Sequence, residues 1–297
     1  MSGPALSTDE LGELEAAVRH ALVTYDDSAL EVVGYGEITT VVEWTAGGEP
    51  VACKRLPGLA DEAAFESYKD GVERYIAQLS TTGVEVPDTV VQHASAADGT
   101  VTAYCVQTVL PSSSLVPRVM HERGHDEATS VFEAIVASVE ATVTDRVGLD
   151  AQLSNWAWHD GRLRYFDIST PFLRDEHGRE AFDVELHLAS VPWALRGLVR
   201  AFFLDTILDK YYTNRGALLD LLGNMIKERL GGLLPAFVEV ANRVVSPPFT
   251  VAEIEKYYRG DARLWALLQA LRRADRWWQH SVRRRPYPFL LPRDLPR

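Results

Sequence analysis

The sequence predicts an α+β protein in two parts: a small N-terminal β-sheet lobe carrying one helix, then a larger, mainly helical C-terminal lobe. Three observations predict it. Between residues 31 and 110, β-type runs are separated by glycines and polar turns. After Pro111, apolar residues recur mostly at helical spacing. One stretch of the second half departs from that spacing: Asn155–Trp158 and Leu163–Phe166 flank Asp160-Gly161, a dipeptide suited to a two-residue hairpin turn with positive φ. At 297 residues, 46% hydrophobic and 24% charged, the composition is globular, and the length allows one large domain or two lobes.

Residues 1–30 read as a leading helix, with Ser7-Thr8-Asp9 as cap candidates ahead of Leu11, Leu14 and Val18. Residues 31–110 form the β-rich lobe. Glu31–Trp44 is two β-runs broken at Gly34 and Gly36, residues that let a backbone approach a ligand closely and aim amide N–H groups at phosphate. On the apolar run Pro50–Leu56 sits Lys54. A lysine on such a strand is commonly a snorkelling edge residue, but its place directly after a glycine loop favours a phosphate contact. An ammonium in that role needs a carboxylate to hold it. The helix expected over Ala60–Leu79 carries Glu62, Glu66 and Glu73, of which Glu66 and Glu73 lie two turns apart on one face. Thr89–Ala94, a polar tip at Ala97-Asp98-Gly99 and Thr102–Leu110 make a second strand pair, ending in Gln107-Thr-Val109-Leu-Pro111.

Residues 111–271 form the helical lobe. An apolar-periodic helix over Asp126–Val143 (Val131, Ile135, Val136, Val139) leads into the hairpin. Further helices are expected over Pro192–Tyr212, Arg215–Arg229, Leu233–Val245, Val251–Tyr258 and Asp261–Val282, with breaks at Asn214, Gly231-Gly232 and Ser246-Pro247-Pro248. Around the hairpin stand three oxygen-bearing side chains. Asp150 and Asn155 have D-x-x-x-x-N spacing, and Asp167 follows the second strand. A hairpin of this length returns the chain, so Asn155 and Asp167 end as neighbours, a plausible seat for Mg²⁺ and phosphoryl transfer.

The order glycine loop, strand lysine, helix glutamate, apolar strand, Asp, Asn, hairpin, Asp resembles the protein-kinase-like superfamily, and is similar above all to its aminoglycoside phosphotransferase and choline kinase branch. The motifs span about residues 31–175. The resemblance implies a bilobal kinase-like fold and an ATP-dependent phosphotransferase that uses Mg²⁺ and acts on a hydroxyl of a small molecule. It implies that Asp150 orients or deprotonates the acceptor hydroxyl, that Asn155 and Asp167 hold Mg²⁺, and that Lys54, braced by Glu73 in preference to Glu66, contacts the nucleotide phosphates beside Gly34 and Gly36. Backbone groups from Gln107 to Val109 would meet adenine. The chain departs from the family pattern at several points. Gly148 stands where a His precedes the catalytic Asp, Gln152 replaces a His two residues after it, and Asp167-Ile-Ser169 lacks the usual glycine. The phosphate loop lacks its third glycine, and no Ala-Pro-Glu segment follows. A nucleotide-binding pseudokinase or regulatory module without turnover is therefore the alternative. An unrelated α+β binding protein is the third reading.

A net charge of −12 argues against nonspecific nucleic-acid binding and against an anionic membrane surface, and implies that a nucleotide site is only locally positive. Acidic residues of the helical lobe, such as Asp205, Asp209 and Asp220, are candidates to line a cleft for a cationic acceptor, although a solvated face is the commoner explanation for each. Cys53 and Cys105 lie on apolar runs and read as buried free thiols, which with no signal-peptide pattern at the start suggests the cytoplasm. Histidine spacings give no zinc motif, and Ser112–Ser114 lack a hydrolase elbow. Residues 272–297 carry eight arginines and no lysine, interleaved with Trp277, Trp278, Tyr287 and Phe289. This tail reads as an extended strap across the helical lobe, with binding of a phosphate-bearing ligand, nucleic acid or a protein partner as its alternative role.

Overall fold

The computed structural model describes residues 3–36, 39–95, 99–188, 191, 196–197, 204–284, 287 and 289–290. The hairpin tip at Ala97-Asp98, most of the helix expected from Pro192 to Phe203, and the tail past Leu290 lie outside the described residues.

The first helix, α1 (Thr8–Thr24), begins at a capping box: Ser7 Oγ accepts from the Glu10 amide at 3.3 Å, and Glu10 Oε2 accepts from the Ser7 amide at 2.8 Å. Five strands follow, β1 (Glu31–Tyr35), β2 (Thr40–Ala46), β3 (Glu49–Leu59), β4 (Thr89–Ser95) and β5 (Val101–Thr108). They form one antiparallel sheet of order β1-β2-β3-β5-β4, with α2 (Glu62–Thr81) inserted between β3 and β4.

Alternation along the strands divides the buried side chains between the two faces of the sheet. Cys53, Tyr104 and Val106 pack with Leu14, Val18 and Leu22 of α1. On the opposite face, Leu56, Ala103 and Cys105 pack with Phe65, Tyr68, Val72, Tyr75 and Leu79 of α2. That second core runs on without a break into the C-terminal part. Each of its fully buried large side chains contributes about 2 kcal/mol by removal from water.

The C-terminal part is mostly helical: α3 (Val116–Glu122), α4 (His125–Thr142), α5 (Val184–Leu188), α6 (Leu204–Asp209), α7 (Asn214–Lys227), α8 (Leu234–Ala241) and α9 (Val251–Ser281). Set among them is the hairpin β6 (Trp156–His159) and β7 (Arg162–Tyr165), whose turn has φ of 52° at Asp160 and 71° at Gly161, as the dipeptide predicts.

Gly260 does not divide the last helix, so the two helices expected there are one element of 31 residues. Helical backbone also runs through Arg272, which corrects a tail boundary drawn at that residue. Beyond Ser281, Tyr287 and Phe289 are buried in the main core and the Arg272 guanidinium lies 5.3 Å from the Phe289 ring, so this portion is strapped down as expected. Both cysteines are free and buried. Among the described residues, no helix is long and apolar enough to cross a membrane.

Candidate active site

β3 is an inner strand, and it places Lys54 on the face that looks toward the C-terminal part. Gly34, Val41, Lys54 and Cys105 stand in one row across β1, β2, β3 and β5, so Gly34 is two strand spacings, about 10 Å, from Lys54. Gly36 closes the β1–β2 loop by donating its amide to Thr39 O at 2.9 Å. A Cβ at Gly36 would stand 2.3 Å from Thr39 Oγ1, so a side chain there would require the Thr39 hydroxyl to turn away. The glycine loop and the lysine thus belong to one end of one sheet surface.

The ammonium of Lys54 donates to Oδ1 of Asp167, a residue 113 positions away. Ser169 Oγ donates to the same oxygen at 3.2 Å. No hydrogen bond reaches Asp167 Oδ2 among the described residues. Asn155 is where the hairpin predicts it: its carbonyl accepts from the Phe166 amide at 3.1 Å, one residue before Asp167. Its side-chain Nδ2 donates to Asp150 O at 3.1 Å. A carbonyl only accepts, so the amide nitrogen must face Asp150, which leaves Asn155 Oδ1 turned away from that bond.

Asp150 sits in a loop tied down on both sides. The Gly148 amide donates to Phe172 O at 2.9 Å and the Leu149 amide to Tyr211 O at 3.1 Å. Asp150 Oδ1 accepts from the Gln152 amide at 3.2 Å. Burial raises the Asp150 carboxyl above its ordinary value, and the nearby Asp220 and Asp167 carboxylates add to the rise, while Lys210 opposes it.

Behind this loop lies a polar cluster that the sequence did not disclose. Gln152 Nε2 donates to Asp220 Oδ2 at 3.0 Å, and Asn224 Nδ2 donates to Gln152 Oε1 at 3.1 Å. Lys210 Nζ is 2.9 Å from Asp220 Oδ1, which also accepts from the Tyr257 hydroxyl. Burial raises Asp220, but Lys210 and Tyr257 outweigh it and hold the carboxyl below its usual range. Gln152, which occupies the position of an expected histidine, is therefore clamped through α7. The side chains of this cluster come from segments dispersed in sequence; Asp220 and Asn224 stand on the buried face of α7 among Ala217, Leu221 and Met225, and polar residues on an apolar face are the one signal that could have marked them.

Three expectations are corrected. Glu73 does not brace Lys54: its side chain is 61% exposed and its ion pair is with Lys69, at 4.0 Å. Glu66 is exposed as well. The buried face of α2 runs Phe65, Tyr68, Val72, Tyr75, Leu79, and both glutamates fall one residue outside it. Gln107 lies inside β5 between Ala52 and Thr89, with its side chain bonded to Thr89 Oγ1 at 3.1 Å. The next amide, Thr108 N, is taken by Asp88 O at 3.2 Å, so Val109 is the first residue past the ladder. Finally, Asp209 and Asp220 are already paired, with Arg174 and Lys210, and do not offer free charge to a cationic ligand. The side chain of Asp205 lies outside the described set.

Asp150, Asn155, Asp167 and Lys54 are thus brought together, with Gly34 on the same sheet face. A cavity of about 570 Å³ lined by Val84, Glu85, Asp88, Thr108, Leu110 and Arg164 includes none of them. Among the described residues no three His, Cys, Asp or Glu side chains cluster as a metal site. The oxygens left outside these hydrogen bonds, Asn155 Oδ1 and Asp167 Oδ2, are hard donors of the kind that Mg²⁺ takes together with water and phosphate.

A family model described as a family of unknown function (DUF6206) matches residues 13–276. No curated protein matches the chain.

Proposed function

The chain belongs to the DUF6206 family, and we propose that it is an ATP-dependent phosphotransferase of protein-kinase-like, bilobal architecture, acting on a hydroxyl of a small molecule. The observation that carries the reading is the meeting of Lys54 with Asp167 beside Asn155 and Asp150. Four chemically matched groups from two distant parts of the chain meet there, in the chain order of the superfamily that the sequence resembles. The antiparallel five-stranded sheet with its single inserted helix, ahead of a helical part that contains the hairpin, supports the same reading.

In this reading Lys54 leaves Asp167 to pair with nucleotide phosphate, while the loop around Gly34 and Gly36, lacking side chains at both glycines, lets its backbone approach the phosphate chain. Val109 offers the free backbone next to adenine. Asn155 Oδ1 and Asp167 Oδ2 would hold Mg²⁺, which supplies neutralisation of the phosphate charge. Asp150 orients the acceptor hydroxyl and takes its proton; a carboxyl raised by burial is better matched to that task than an ordinary one. Catalysis then consists of positioning and charge compensation.

One observation favours a second reading, a nucleotide-binding regulatory module without turnover: no glutamate of α2 holds Lys54. Turnover separates the two. ATP consumption by the wild type over a panel of hydroxylated metabolites is compared with that of Asp150→Asn. The transferase reading expects Asp150→Asn to cut turnover roughly a hundredfold or more with ATP affinity retained. ATP binding with no turnover on any acceptor supports the regulatory module, and absence of Mg²⁺-dependent ATP binding removes both.

A further inference from the structure

The face of α2 that meets the site presents a tyrosine. Tyr68 is fully packed between β5 and the segment after the hairpin; its hydroxyl donates to Ser169 O at 2.9 Å and lies 3.2 Å from Cys105 Sγ. Burial drives the Tyr68 phenol far above its ordinary pKa, so it stays a neutral donor. The carbonyl it serves belongs to the residue whose own hydroxyl, Ser169 Oγ, donates to Asp167 Oδ1. Ser169 is itself buried. A continuous chain of contacts therefore runs from α2 through Tyr68 and Ser169 to the carboxylate that faces Lys54.

We propose that Tyr68 and Ser169 are positioning residues that set the Asp167 carboxylate for a divalent cation. The inference rests on the phosphotransferase reading of this site. Once Lys54 turns to phosphate, Ser169 Oγ remains the donor on Oδ1, and this leaves Oδ2 as the oxygen presented to the ion. The Tyr68 bond fixes where Ser169 stands, because a buried carbonyl deprived of its donor must find another or move. Removing either hydroxyl frees the carboxylate to rotate. The loss then falls on the cation and not on the nucleotide alone, since Lys54 and the glycine loop contact phosphate independently of this relay. Groups that orient metal ligands from outside the coordination sphere are worth about 10–100-fold in metal affinity.

The test measures affinity of the full-length protein for a fluorescent ATP analogue, once with Mg²⁺ and once with chelator. Wild type is expected to bind more tightly with Mg²⁺. Tyr68→Phe and Ser169→Ala are each expected to lose about tenfold of that gain, with chelator affinity within about twofold of wild type and folding confirmed by melting curves. Ser169→Thr, which keeps the hydroxyl, should restore the gain. Variants that keep the whole Mg²⁺ gain, or that lose affinity equally with and without Mg²⁺, overturn the proposal and leave the phosphotransferase reading intact. A wild type with no Mg²⁺-dependent affinity overturns that reading and this inference with it. Should Tyr68→Phe fail to fold, Ser169→Ala decides alone.

Discussion

Lys54 and Arg55 are consecutive cations on one strand, and each meets a carboxylate, yet the two pairs have opposite characters. Alternation sends them to opposite faces of the sheet. Arg55 turns to α1 and grips Glu15 with two nitrogens, at 2.8 and 3.0 Å. Glu15 also accepts from Arg19 at 2.6 Å, from Tyr104 at 2.5 Å and from Thr102 at 3.3 Å. Side-chain exposures in that pair are 11% and 8%, against 15% and 26% for Lys54 and Asp167. One carboxylate is saturated with donors and sealed; the other keeps an oxygen open and remains reachable. The comparison teaches that ion pairing alone does not mark a site. What marks it is a pair left incomplete next to other polar groups that converge on the same space.

Substitutions can break this contrast from either side. Arg55→Met should have the largest effect, about 3–5 kcal/mol of lost stability in urea unfolding, because Glu15 is left buried without its main counter-charge. Its nucleotide affinity should be unchanged; a fall in affinity without a fall in stability would reverse the assignment of the two faces.

Acid titration probes the same pair. Burial pushes the Glu15 carboxyl up, but Arg55, Tyr104 and Arg19 outweigh it and hold the pKa at about 2, below its usual 4.5. A depressed folded-state pKa stabilises the protein above the unfolded value, so this contribution is complete above pH 4.5 and fades as pH falls toward 2. The shift corresponds to roughly 3 kcal/mol. Glu15→Gln should remove that part of the acid dependence, which unfolding curves collected across this pH range would show.

Lys54→Met sharpens the contrast from the functional face. ATP affinity should drop roughly a hundredfold, while stability changes by less than about 1 kcal/mol, as for partly exposed ion pairs. An unfolding free energy lowered as much as in Arg55→Met would show Lys54 to be structural. Glu73→Gln, the smallest effect, should alter neither stability by more than about 0.5 kcal/mol nor ATP affinity. A large loss of affinity in that variant would restore the glutamate to the site.

Much of the architecture was legible before any coordinates, because its signals are local. Asp160-Gly161 demanded a left-handed two-residue turn, and that turn is what makes Asn155 and Asp167 neighbours. The strand that carries Lys54 was legible from its apolar run. The error over Glu73 arose from weighing the family's spacing over periodicity. Phe65, Tyr68, Val72, Tyr75 and Leu79 already describe the inner face of α2, and Glu73 is not on it. The clamp of Gln152, Lys210, Asp220 and Tyr257 was out of reach, since it joins four segments that only tertiary packing brings together. The division expected between Tyr258 and Asp261 failed because the isolated Gly260 there costs a helix about 1 kcal/mol, too little to end one that continues on both sides.

The last helix spans both parts of the molecule. At about 1.5 Å per residue, α9 is roughly 46 Å long. Near its beginning Tyr257 reaches Asp220, and near its end the His280 ring stands edge-on to Tyr25, the residue that caps α1, at 5.0 Å. A rod clasped at both tips denies the sheet and the helical body separate melting, so the whole assembly should come apart in a single calorimetric transition.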